Sequence, residues 1–108
     1  MNAIHKAKRD RLAAAGWRSG DASEFLELSA EETAFVELKL ALADYLHEIR
    51  TRNGWTQAQT ARRLGSSQSR VAKMEAADTS VSLDLLVKSL LSLGVSRSEV
   101  GSVIAKAA

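Results

Sequence analysis

The stretch from Thr56 to Glu75 leaves little choice of structure. Thr56-x-x-Gln59 has the spacing of a capping box, in which each side chain bonds the other residue's backbone N–H and so opens a helix. That helix ends at Leu64, because Gly65 can take the positive φ of a tight turn that other residues resist. Ser66 or Ser67 then caps a second helix, which runs to about Ala76. Ala61 is small where the two helices must cross, and Leu64, Val71 and Met74 fall on inward positions. The outer face of the second helix is left to Gln68, Ser69, Ala72 and Lys73.

Helix signals continue on both sides. Proline is absent and only 5% of residues are aromatic, while Ala and Leu dominate the apolar set, a composition that favours helices over sheet. Residues 2–15 are rich in Ala and Lys/Arg and stop at Gly16, with a thin apolar stripe of Ile4, Ala7 and Leu12. Asp21-x-x-Glu24 opens a short helix through Leu28, and Trp17 is expected to anchor the loop between these two pieces. Ser29-x-x-Glu32 opens the longest helix, from about Ala30 to Arg52, which spans about 35 Å.

On that helix Phe35, Leu38, Leu42, Tyr45 or Leu46, and Ile49 recur at core spacing, whereas Val36, Leu40 and Ala43 form a second apolar line. The two-sided pattern predicts that Phe35, Val36 and Leu40 meet a partner protein or a second subunit. Downstream, Ser82 or Ser80 opens a leucine-rich helix closed by Gly94. Ser96-x-x-Glu99 opens a last helix with Val100, Val103 and Ile104. No strand alternation appears anywhere, so the fold is expected to be all-α.

Charge is segregated along the chain. Residues 1–20 hold five Lys/Arg against Asp10, and residues 21–49 hold eight acids against Lys39. The 24 residues from Arg50 to Lys73 carry six bases (Arg50, Arg52, Arg62, Arg63, Arg70, Lys73) and no acid, although the whole chain is only +2. A local positive field on two helices and a turn is what seating one helix in a DNA groove requires.

Several classes are disfavoured. No apolar run approaches the ~18 residues of a membrane span, and no signal peptide is visible, so a cytoplasmic protein with no membrane association is expected. There are no cysteines, and His5 and His47 lie too far apart in sequence to suggest a ligand pair, so neither a metal site nor a cofactor is expected. With no Gly-rich phosphate loop and no recognisable catalytic arrangement, an enzyme is not expected either.

The chemistry of the second helix fits base reading. Gln bonds adenine bidentately, Lys favours the guanine O6/N7 edge, and Ser serves either; Gln68, Ser69 and Lys73 are the candidate base contacts. Gln57 stands at a positive helix end suited to a phosphate, and Thr56, Arg62, Arg63, Ser67 and Arg70 are placed with it on the DNA backbone.

From about Leu42 through Leu93 the chain resembles the Cro/phage-repressor (XRE) class of helix-turn-helix regulators. The resemblance is carried by Thr56-Gln57-x-x-x-Ala61, Gly65, Ser67-Gln68-Ser69, Val71 and Met74-Glu75. It implies that Gln68, Ser69 and Lys73 reach base edges and that Gln57 and Ser67 hold phosphates. Two positions depart from the class: Thr60 stands where Leu is usual, which loosens the first helix, and Ala77 stands where a Gly follows the glutamate, which predicts a different path for the loop. The flanking runs Phe35–Leu40 and Ser80–Leu86 resemble a subgroup containing HigA-like antitoxins.

These readings together predict a five-helix Cro/repressor-like domain over residues 30–108 with an N-terminal helical extension over 1–29. The expected protein is a repressor of a double-stranded DNA operator. It acts as a homodimer, because one such unit makes too few contacts for a tight specific site. It is further expected to be the autoregulating antitoxin of a type II toxin–antitoxin module that neutralises a basic ribonuclease-like toxin. The competing expectation is a protein-interaction module whose residues 21–49 bind a partner, with DNA binding secondary.

Overall fold

The computed structural model describes residues 29–107. The expected helix over 2–15, the Asp21 capping box and the Trp17 anchor lie outside the described residues. Five helices follow in order: α1 (Ala30–Arg52), α2 (Gln57–Leu64), α3 (Gln68–Glu75), α4 (Leu83–Ser92) and α5 (Arg97–Lys106). Among the described residues there is no strand.

The helix starts are local chemistry. Ser29, Thr56 and Ser96 each close a reciprocal capping box, with Glu32, Gln59 and Glu99 respectively. Ser67, rather than Ser66, caps α3, and Ser82, rather than Ser80, caps α4. At the end of α2, Gly65 takes φ 64°, and the Ser66 N–H reaches back to the Ala61 carbonyl at 2.8 Å to close the turn.

Packing centres on α1, which meets α3, α4 and α5, while α2 packs on α3 and α4 on α5. Leu42 and Leu46 from α1, Val71 and Met74 from α3, and Leu86 and Leu90 from α4 are wholly buried. Here the long helix departs from expectation. Val36, Leu40 and Ala43 belong to the buried core, whereas Phe35 is 48% exposed and Leu38 only half-buried. A helix packed by three others buries more than one stripe, so the line read as a partner surface is core, and of Phe35, Val36 and Leu40 only Phe35 is open to solvent.

The two departures from the repressor pattern have distinct outcomes. Ala77 adopts φ 55°, the left-handed conformation that glycine favours, and is fully buried. The loop after α3 therefore makes a glycine-type turn with an alanine in it, at a backbone cost of about 1–2 kcal/mol. Thr60 is fully buried, and its hydroxyl has no hydrogen-bond partner, the one such side-chain atom among the described residues.

An unpaired buried hydroxyl costs about 1–3 kcal/mol. Thr60→Val keeps the shape and removes the hydroxyl, so it is expected to raise stability by about 1 kcal/mol and the melting temperature by several degrees. Thermal unfolding followed by circular dichroism checks this; a lower melting temperature would mean that the hydroxyl is satisfied.

Candidate nucleic-acid interface

The two short helices hold their geometry through small and inward residues. Ala61 is buried at their contact, and Val71 and Met74 seat α3 on the core, where Ser89 Oγ approaches Met74 Sδ at 3.5 Å. Gln68, Ser69, Arg70 and Lys73 are all exposed on α3, with Ser67 exposed at its cap and Ala72 half-buried. The expected base-reading set, Gln68, Ser69 and Lys73, is therefore brought together on one open helix.

Beneath that face lies a polar network that the sequence did not reveal. Gln68 Nε2 donates to Gln57 Oε1 at 2.7 Å, and Gln57 Nε2 donates to Glu75 Oε1 at 3.3 Å. Arg50 holds the same carboxylate in a fork, Nε to Oε2 at 2.5 Å and Nη2 to Oε1 at 3.1 Å, and its Nη1 donates to the Trp55 carbonyl at 3.0 Å. His47 Nδ1 lies 3.0 Å from Glu75 Oε1. Gln57 is thus engaged on both sides of its amide. One N–H of its side chain remains for a further partner, and Gln68 keeps one N–H and its carbonyl.

Glu75 and Arg50 are largely withdrawn from water, with side chains 7% and 15% exposed. Burial alone would raise the Glu75 carboxyl, but hydrogen bonds from Arg50, His47 and Gln57, with the Arg50 charge, hold it below the usual carboxylate range. The hydrogen bond to Glu75 in turn raises Arg50, burial opposing it. A clue was present in the sequence: Glu75 follows the core residue Met74, and a carboxylate at the edge of a core needs a partner. Nothing local shows that the partner is Arg50 or His47, one helix away.

The six bases of residues 50–73 are consequently not all unopposed. Arg50 pairs with Glu75 and Arg52 with Glu48. Arg62, Arg63, Arg70 and Lys73 make no ion pair among the described residues. The first two sit in the last turn of α2, where they complement the negative helix end, and the Arg63 guanidinium lies 4.0 Å from the centre of the Trp55 ring. Trp55 is half-buried against the core. Thr56 and Gln57 lie at the opposite end of α2, roughly 10 Å away along its axis.

Beside α3 opens a cleft of about 260 Å³ lined by Ser67, Ser69, Arg70, Lys73, Ser80 and Val81. Two cations and several hydroxyls give it the chemistry to hold an anion. Ser80, one of the lining residues, donates its N–H to Asp78 Oδ1 at 2.9 Å and its hydroxyl to the same oxygen at 2.7 Å. Those hydrogen bonds, aided by the charges of Lys73 and Lys39, keep Asp78 ionised to lower pH than usual.

A helix-turn-helix sequence family matches residues 46–101, the span that contains both short helices, their turn and the network beneath them. The chain belongs to that family. It is a DNA-binding transcription regulator of the Cro/repressor class. No curated protein and no solved structure matches it. Among the described residues, no helix is long and apolar enough to cross a membrane.

Because the folded Glu75 carboxyl is depressed, its stabilisation is fully present above the unfolded value of ~4.3 and is lost as pH falls through the lower folded value. Glu75→Gln leaves Arg50 buried without its counter-charge, and is expected to cost about 1–3 kcal/mol at neutral pH. The deficit against the unaltered protein should shrink steadily below pH ~4. Melting curves across pH test this, and a deficit of constant size down to strongly acid pH would exclude Glu75 as its source.

Proposed function

We propose that this regulator is an operator-binding repressor whose α3 is the reading helix, with Gln68, Ser69 and Lys73 at base edges and Thr56, Gln57, Ser67 and Arg70 on phosphates. The observation that carries the reading is the open Gln68-Ser69-x-x-x-Lys73 face, oriented from beneath by Gln57 and Glu75. Arg62 and Arg63 join the backbone set at its margin. Residues 30–108 form the DNA-binding domain, and residues 1–29 are an extension of it. Two copies bind half-sites about 34 Å apart. Their first contact surface is the C-terminal pair of helices, where Leu91 and Ile104 are 40% and 38% exposed.

Gln68→Ala or Lys73→Ala is expected to weaken binding to the cognate site by about 1–3 kcal/mol and binding to random DNA far less. Equal losses on both DNAs would assign the residue to phosphate contact. Arg70→Ala, Arg62→Ala and Arg63→Ala are each expected to lower the steepness of log K against log salt by about one unit.

The second element of the proposal is a toxin. Three observations support an autoregulating antitoxin: the HigA-like flanking runs, the acidic α1, and Phe35 standing exposed upon it. A basic ribonuclease-like toxin would be drawn by the acids and held by the apolar side chain. Co-expression with the product of the neighbouring gene tests this. Growth arrest by that product is expected to be relieved by this chain and not by Phe35→Asp, while operator binding by Phe35→Asp is unchanged. Relief by both proteins alike would remove Phe35 from the partner surface. If DNA affinity proves nearly independent of salt, the interaction-module reading of residues 21–49 takes precedence.

A further inference from the structure

Where α3 ends, the chain places an acid that does the helix no good. Ala77 makes its left-handed turn, and the Asp78 N–H reaches back to the Lys73 carbonyl at 3.0 Å. Asp78 is thereby fixed beside the negative end of α3, where a cation is favoured and an anion is not. Its own carbonyl accepts from the N–H of buried Val81 at 3.0 Å, so the loop is held on both sides. Between Gln68 and Ser82 the only other acid is Glu75, which Arg50 already holds. The Asp78 Oδ1 accepts both the N–H and the hydroxyl of Ser80, and the charges of Lys73 and of buried Lys39 act on the carboxylate. Ser80 and Lys73, with Arg70, line the cleft of about 260 Å³ beside α3.

We propose that Asp78 determines specificity by excluding a DNA phosphate from the Lys73 end of this cleft, which leaves Lys73 to a base edge. The inference rests on α3 being the reading helix. A phosphate seated there would draw on the Lys73 charge and on hydrogen-bond donors, of which Ser80 carries two. Asp78 engages both resources. Its oxygen receives the two Ser80 donors, and its negative charge offsets that of Lys73 for any incoming anion. Carboxylate and phosphate are both anionic hydrogen-bond acceptors, so the protein's own acid fills the role that a phosphate would take. Arg70, nearer the start of α3, remains on phosphate.

Lysine is a compact charge on a flexible stem, and phosphates flank every base pair of any duplex. Unopposed, Lys73 would settle on the backbone as readily as on a base. Repulsion between Asp78 and a phosphate disfavours that placement on every sequence alike. The guanine O6/N7 edge carries only partial negative charge and is repelled far less. Asp78 therefore lowers affinity for arbitrary DNA and widens the gap between that affinity and the one for the operator.

Asp78→Asn removes the charge and keeps an oxygen for Ser80. In the full chain it is expected to tighten binding to a mixed-sequence duplex by about 3–10-fold. The slope of log K against log salt is expected to steepen by about one unit, because one further phosphate is held. Binding to a duplex enriched from a random library by the unaltered protein is expected to tighten less, so the ratio of the two affinities falls. Asp78→Ser must show the same gain, which keeps the test decisive if one neutral variant does not fold. Asp78→Glu, which retains the charge, is expected to bind mixed-sequence DNA as weakly as the unaltered protein. In a chain that also carries Lys73→Ala, Asp78→Asn is expected to give little gain. No gain on mixed-sequence DNA, equal gains on both duplexes, a gain from Asp78→Glu as large as from Asp78→Asn, or a full gain without Lys73 would each overturn the inference. Equal losses on both duplexes from Lys73→Ala alone would overturn base reading by Lys73 and this inference with it. A selective loss from Lys73→Ala, with no gain from Asp78→Asn, would overturn this inference and leave the reading helix in place.

Discussion

The Glu75 carboxylate, forked by Arg50 and touched by His47 and Gln57, joins the C-terminal half of α1 to the start of α2 and the end of α3. Taking two charges out of water is costly, and a pair of this kind adds little net stability over apolar residues of equal size. What it does supply is geometry. A methyl group in place of Glu75 would let α3 settle over a range of positions, whereas a forked carboxylate accepts Arg50 in one orientation only. The order passes outward through Gln57 to Gln68, so the exposed amide on α3 is held in one orientation by the protein itself. Pre-set donors and acceptors reduce the ordering cost of association.

Features that depend on neighbours within four residues were readable from the chain. The three closed capping boxes, the left-handed Gly65 and the burial of Ala61, Val71 and Met74 follow from such local rules. Features that depend on distant partners were not. The burial of Val36 and Leu40 depends on how many elements surround α1, which periodicity on one helix does not encode. The pairing of Arg50 with Glu75 spans 25 residues and was hidden by a charge count that stopped at Lys73. Counting by segment overstates a basic patch wherever the fold brings an acid from the next turn.

Thr60 and Ala77 show a chain holding its domain shape with residues that do not suit it. An unpartnered hydroxyl at one and a left-handed backbone at the other each oppose folding by about 1 kcal/mol or more. Thr60 lies within α2, on its buried side, and Ala77 just after α3. The loop that begins at Ala77 leads to Ser80 and Val81, which line the cleft beside Arg70 and Lys73. The left-handed turn at Ala77 thus lies between α3 and the residues that face it across the cleft.

The charges then divide between two tasks. Arg50 and Arg52 are consumed by Glu75 and Glu48, one fixing α3 and the other bracing the end of α1. Arg70 and Lys73 remain beside the exposed amide and hydroxyls of α3, with Arg62 and Arg63 at the far end of α2. Fewer free cations mean fewer phosphates neutralised, hence a shallower dependence on salt and weaker attachment to arbitrary DNA. For a small regulator this shifts the burden from attraction to discrimination. The positive field that made the segment conspicuous is partly taken up inside the protein, where Arg50 holds Glu75 and, through Gln57, the exposed Gln68 amide.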